Sequence, residues 1–284
     1  MNKIGAVHIA GLKLANPIMP ASGTWSLPMM RILLKRHPDF RPGAIVLKGV
    51  TLEPRAGNEP PRVIETPAGM INFIGLQNGG LKHFRSKVLP AWREFGVPLI
   101  VNISGKLPHE YGQIVEELED EDVAGYEGNV SCPNMEGIIY GTRANLTRGI
   151  VRLMRQKTRR LILVKLTPNV TDIGEMANVA EEAGADAISA VNTFLARAYD
   201  ADFDRYIRGG QSGRAIKAMA LAKVEEVCRV VKIPVVGMGG ISSAKDAREF
   251  LSVHERVKAI AVGTANFTDP TIMAQIWQGL QSGQ

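Results

Sequence analysis

The stretch "NVSCPN", residues 129–134, holds one of two cysteines in a chain of 284 residues. Cys132 sits there between Asn129 and Asn134, and each asparagine offers both a donor and an acceptor. A thiol has an ordinary pKa of about 8.5, so its thiolate is within reach near neutral pH. The plain alternative is a small buried hydrophobe. Similar residues interrupt other apolar runs: Lys48 in "AIVLKGV" (44–50), Asn102 in "PLIVNISG" (98–105) and Lys165 in "LILVKLTPN" (161–169). Asn192 and Thr193 end "AISAVNT" (187–193), and Ser22 nearly ends "PIMPASG" (17–23). Such groups are costly in an apolar setting unless they are paired. Taken alone, Lys165 suits a Schiff-base nucleophile.

The elements that carry these residues form a regular beat. Eight strand-like runs occur, the five above with "YEGNVSCPN" (126–134), "PVVGMGGI" (234–241) and "AIAVGTANF" (259–267). Helical patterns lie between them, such as "DIGEMANVAEEAGA" (172–185) and "SAKDAREFLSV" (243–253). In the first, Ile173, Met176, Ala177 and Ala180 recur at helical spacing and Gly184 is placed to stop the helix. Alternating strands and helices predict a parallel sheet, and eight repeats predict a (β/α)8 barrel. The polar residues then share the carboxyl ends of the strands, where barrels carry their sites. Two long excursions, 51–78 and 193–213, are expected as loops or hairpins on that face. Composition does not shift along the chain, which reads as one domain over 1–284.

Gly239 and Gly240, then Gly263 and Thr264, close the last two strands. Glycines there let backbone N–H groups approach a phosphate. The spacing is not that of a dinucleotide-binding fingerprint. The net charge of +6 is modest, and the densest basic stretch, "RQKTRR" (155–160), falls at a predicted helix end, so nucleic acid is not an expected partner. Two cysteines provide neither a disulfide framework nor a zinc pair, no metal is expected, and no apolar run is long enough for a membrane span. A soluble cytoplasmic protein is expected. Met29, Met30, Met219 and Cys228 read as packing residues, His109 as an exposed helix-start residue, and "EELEDEDV" (116–123) as a solvated helix end.

The motifs "LKGVTLEPRAGNEPPRVIETPAGMINFIGLQN", "NVSCPN", "VKLTPNVTDI", "GMGGISSA" and "VGTANF" together resemble those of the dihydroorotate dehydrogenases, most closely the NAD-linked soluble class, over about residues 4–280. The resemblance implies a barrel that binds flavin mononucleotide (FMN) with its phosphate on the last two loops. It implies FMN contacts at Ser22, Lys48, Gly49, Asn102, Asn129, Lys165, Val191, Gly213, Gly239, Gly240, Gly263 and Thr264. It implies substrate contacts at Lys48, Asn72, Phe73, Ile74, Gly75, Leu76, Asn129, Asn134, Asn192 and Thr193. Cys132 matches the catalytic base, with Lys48 and Lys165 as catalytic partners.

The resemblance further implies a homodimer and a separate FAD and iron–sulfur subunit that carries electrons to NAD. Iron–sulfur ligation usually takes four cysteines, more than this chain has. Barrel-like sequence begins within the first twenty residues, so a quinone-reaching extension is not expected. The loop after Cys132 and the excursion after Thr193 are shorter than is usual in the family. Another dihydropyrimidine or cyclic substrate therefore stays open, as does a Schiff-base lyase built on Lys165.

Overall fold

The computed structural model describes residues 5–131, 139–200, 202 and 204–282. The chain opens with a short hairpin, β1 (Val7–Ile9) and β2 (Leu12–Leu14). The barrel strands are β3 (Ile18–Pro20), β4 (Ile45–Val46), β7 (Leu99–Ile103), β8 (Gly125–Asn129), β9 (Leu161–Lys165), β10 (Ala187–Ala190), β13 (Val235–Met238) and β14 (Val257–Val262). They lie in the order β3-β14-β13-β10-β9-β8-β7-β4, and every pairing is parallel. The expected eight-stranded α/β barrel is therefore present. The eighth strand is shorter at its far end than the sequence run, because Ala265–Thr268 coils into a helical turn.

Closure depends on the seam between β3 and β4. The Gly43 N–H donates to the Ile18 carbonyl at 2.7 Å, and Ser22 Oγ donates to the Leu47 carbonyl at 2.8 Å. A Cβ at residue 43 would lie 2.0 Å from the Asn16 carbonyl oxygen, so the backbones meet there only because residue 43 has no side chain.

Side chains alternate across each strand with period two. Ile18, Ile45, Val101, Tyr126, Ile162, Val164, Ile188 and Ile260 face the helices in the larger core. Met19, Val46, Ile100, Leu161, Leu163, Ala187, Val236 and Ala259 fill the barrel interior, where Ile9 and Leu14 of the hairpin close the amino-terminal end. Burial on both faces is what a parallel sheet wrapped by helices demands.

The main helices are α1 (Leu27–Arg36), α4 (Pro108–Leu118), α5 (Ala144–Lys157), α6 (Ile173–Glu182), α7 (Lys217–Val230), α8 (Ala244–Ser252) and α10 (Ile272–Ser282). Short segments α2 (Gly80–His83), α3 (Leu89–Arg93) and α9 (Ala265–Thr268) complete the set. Local signals set the ends. Asp172 accepts from the Glu175 N–H at 3.0 Å and starts α6, Gly184 follows its end at φ +106°, and Ser243 accepts from the Asp246 N–H at 3.1 Å to start α8.

The run 155–160 is structural. Arg155 donates to the carbonyls of Gly184, Thr158 and Arg160, and Arg160 donates to those of Glu119 and Val123. The acidic run is mostly exposed, as expected of a solvated helix end, and two of its residues also form ion pairs with other helices. Glu121 pairs with Arg93 at 2.7 Å and Arg85 at 3.1 Å, which outweighs its partial burial and lowers its pKa, while Glu116 pairs with Lys157 at 2.8 Å. Met30 and Cys228 are buried, but Met219 is 48% exposed and is not a packing residue; burial pushes the Cys228 thiol up to about 11. His109 is exposed in the first turn of α4.

The two excursions form one structure. Residues 51–78 contain the hairpin β5 (Val63–Thr66) and β6 (Gly69–Asn72), and residues 193–213 contain β11 (Phe194–Asp200) and β12 (Arg205–Ser212). They join as an antiparallel sheet in the order β11-β12-β6-β5. Overpacking the seam should be costly. Gly43→Ala is expected to destabilise by about 1–3 kcal/mol, read as a lower denaturant midpoint with an unchanged slope.

Candidate active site

The inward face of the barrel changes character along its length. Its amino-terminal part is apolar, and the same alternation then brings Asn102, Glu127, Asn129, Lys165 and Ser189 inward at the carboxyl ends of β7 to β10. The parallel register sets Asn102 beside Glu127, Asn129 beside Lys165, and Lys165 beside Ser189. All five are buried.

Glu127 ties this layer together and had no place in the sequence reading. Its Oε2 accepts from Asn102 Nδ2 at 2.5 Å and its Oε1 accepts from Ser189 Oγ at 2.7 Å. Those contacts leave the Asn102 Oδ1 buried without a partner among the described residues. A Cβ at Gly49 would stand 2.8 Å from that oxygen. The one available signal was parity, since Glu127 lies two residues before Asn129 on the same strand face.

Lys165 is 6% exposed, and none of the hydrogen bonds or ion pairs among the described residues reaches its amine. Its main chain is fixed by Ser131, whose Oγ donates to the Lys165 carbonyl at 2.7 Å. Tyr111 of α4 donates to the Asn129 carbonyl at 2.9 Å, and Asn129 Oδ1 accepts from the Ser131 N–H at 3.2 Å. Lys48 follows β4 on the inward parity and stays open to the mouth. Partial desolvation of its amine, and then the Arg62 guanidinium, lower its pKa from the usual lysine value.

The first excursion folds back over the end of β4. Asn72 Nδ2 donates to the Gly210 carbonyl at 3.1 Å, Gly75 turns at φ +73°, and Leu76 approaches within 3.9 Å of the Cβ position of Gly49. Phe73 is 47% exposed, with its N–H on the Arg62 carbonyl, and the Ile74 carbonyl accepts from the Asn58 N–H. Asn192 Oδ1 accepts from the Thr193 N–H, and the Thr193 hydroxyl occupies the space where Gly210 lacks a Cβ. Val191 is buried, with its N–H on the Met238 carbonyl. Cys132 and Asn134 lie outside the described residues.

A third group gathers around the last strands. Gly213 lies at φ +88°; a Cβ there would be 2.6 Å from Gly69 Cα and 3.4 Å from Thr264, while its carbonyl lies 2.9 Å from the Cβ position of Gly240. Thr264 Oγ1 donates to Ser212 Oγ at 2.8 Å. The second excursion is thus pinned to both glycine-bearing loops. Gly263 is different, since a Cβ there would meet nothing nearer than Ala21 at 3.8 Å. The chain's own packing does not require glycine at that position. Open space there, a Lys165 amine without a partner among the described residues and an orphaned acceptor at Asn102 fit an anionic, hydrogen-bonding cofactor.

The family model described as dihydroorotate dehydrogenase matches residues 5–283. The chain belongs to the dihydroorotate dehydrogenase family. Among its relatives, one from Geotalea uraniireducens is 44% identical over 98% of this chain and 92% of its own length. One from Thermoanaerobacter sp. is 43% identical over 97% and 92%, and one from Trichlorobacter lovleyi is 44% identical over 97% and 92%. Each is named dihydroorotate dehydrogenase B (NAD(+)), catalytic subunit. Membership decides between the readings left open by the shortened loops. The reaction is oxidation of dihydroorotate to orotate in pyrimidine biosynthesis, and the lyase and other-dihydropyrimidine alternatives fall away. Among the described residues, no helix is long and apolar enough to cross a membrane.

In this dehydrogenase fold the Glu127 clamp should be measurable as stability. Glu127→Ala strands two buried donors, on Asn102 and Ser189, and is expected to cost about 2–4 kcal/mol in urea unfolding. Glu127→Gln keeps an acceptor for Asn102 and should lose clearly less.

Proposed function

We propose that this chain is the FMN-binding catalytic subunit of an NAD-linked dihydroorotate dehydrogenase, acting as one barrel domain over residues 1–284. The observation that carries the cofactor assignment is the Lys165 amine at the barrel mouth, which has no partner among the described residues and would have a negatively charged ring as its counterpart. When bound, FMN supplies the acceptor for the hydride that leaves one ring carbon of dihydroorotate. The chain's own residues do the rest. Cys132 takes the proton from the neighbouring carbon onto its sulfur, a role supported by its place in the "NVSCPN" motif.

Lys165 and Asn102 hold the polar edge of the flavin, with Ser22, Gly49, Asn129 and Val191 around it. Gly213, Gly239, Gly240, Gly263 and Thr264 cradle its phosphate. Asn72, Phe73, Ile74, Gly75, Leu76, Asn129, Asn134, Asn192 and Thr193 hold the amide ring of the substrate, whose donors and acceptors match asparagine. Lys48 meets its carboxylate. The relatives' designation as NAD(+) catalytic subunits supports a second subunit that carries electrons onward. We assign FAD and an iron–sulfur cluster to that partner, a homodimer to this chain, and the cytoplasm to the assembly.

Extraction of the purified holoprotein should yield about one FMN per chain and no FAD. Cys132→Ala should retain the yellow cofactor while its anaerobic reduction by dihydroorotate nearly disappears; normal reduction in that variant would remove Cys132 as the base. The isolated chain should reduce artificial dyes and leave NAD almost untouched, so rapid NAD reduction without a partner would overturn the two-subunit reading.

Lys48 adds a pH dependence. Its lowered pKa means the amine loses its charge at a lower pH than an ordinary lysine. Orotate affinity should therefore be full at neutral pH and fall as pH rises through that lowered value. Calorimetric titration should show the fall in the wild type and a flatter profile in Lys48→Arg.

A further inference from the structure

The sheet made by the two excursions carries a cationic feature outside the residues assigned above. On β11 and β12, Leu195 lies opposite Gly210, Arg197 opposite Arg208 and Tyr199 opposite Tyr206. Gly210 in turn lies opposite Asn72 of β6. Residues opposite one another, and residues two apart, share a sheet face. Asn72, Arg208, Arg197 and Tyr206 are therefore on one face, while Ile71 is buried on the other. The two arginines stand one row beyond the Asn72 row, roughly 7 Å along the strands.

Like charges directly across a strand pair are destabilising. Among the described residues neither arginine has a carboxylate in an ion pair to offset this. Both are exposed. The Arg197 guanidinium is held 3.9 Å over the ring of Tyr206, which packs edge-on against Tyr199 at 5.3 Å. Arg197, Arg208 and Tyr206, with Leu195 and Ala196, line an open pocket of about 600 Å³. The sheet thus tolerates an uncompensated pair of fixed positive charges beside a concavity, on the face that carries Asn72.

The substrate of the reaction carries a carboxylate. We propose that Arg197 and Arg208 form an outer capture subsite that draws this carboxylate toward the Asn72 row before the ring is seated. The proposal rests on the reading that Asn72 belongs to the substrate site. Fixed charge along an approach path acts on association and is screened by salt.

The test uses the holoenzyme with an artificial dye as acceptor, and stopped-flow binding of orotate. In Arg197→Gln/Arg208→Gln, kcat/KM at low ionic strength should fall about tenfold and its salt dependence should flatten. Orotate association should slow by the same factor with little change in dissociation. Arg197→Lys/Arg208→Lys should restore most of the loss, which a purely structural role would not allow. Asn72→Ala should instead speed orotate dissociation. If the double glutamine variant matches the wild type while Asn72→Ala still weakens orotate, the capture subsite is wrong and the substrate site stands. If Asn72→Ala changes nothing, the substrate-site reading fails first. A loss seen only when an electron-accepting protein partner is added would assign the arginines to an acidic docking surface and overturn the proposal.

Discussion

The barrel mouth depends on a carboxylate buried within it. Burying a polar group away from water is tolerable only where hydrogen-bond partners replace the lost hydration. Glu127 has two, Asn102 Nδ2 from β7 and Ser189 Oγ from β10, and the strand between β8 and β10 contributes the buried Lys165. Four neighbouring strands are thereby tied together at the carboxyl end of the barrel. The clamp also orients the Asn102 amide, whose nitrogen donates to the carboxyl. The nitrogen faces Glu127 and the oxygen faces away.

Below that layer the barrel is ordinary hydrophobic packing. Met19, Val46, Ile100, Leu163 and Val236 fill the interior, and the β1–β2 hairpin covers its end with Ile9 and Leu14. This division explains how one fold can be both rigid and polar at its mouth. The apolar plug supplies burial, and the polar layer stands on strands that the plug has already positioned.

The antiparallel sheet over the mouth is the second device. Its two hairpins come from segments more than a hundred residues apart and meet where Gly210 pairs with Asn72. Gly213 then packs against Gly69 and Thr264, so the same sheet reaches the glycine loops of the last two strands. Asn72 and the glycine loops of the last two strands are coupled through one small sheet rather than through separate loops.

Much of this was legible in the chain itself. Local order dictates the alternation of strands and helices, the caps at Asp172 and Ser243, and the polar residues at the strand ends, because each depends on near neighbours in sequence. Motifs such as "NVSCPN" and "VGTANF" carried the family. What depended on distant pairing was not legible. Glu127 sits in "YEGN" as one more charged residue, and only the barrel's curvature brings Asn102 and Ser189 within reach of it. The excursions read as two separate interruptions, since nothing local says that β12 pairs with β6. The acidic run 116–123 is solvated as its composition says, but its ion-pair partners, Arg85, Arg93 and Lys157, were not legible because they belong to other helices. Sequence determined which elements form and which residue types stand at their ends. Tertiary structure decided which of those residues meet, because contacts between remote segments are set by the closure of the sheet and not by spacing along the chain.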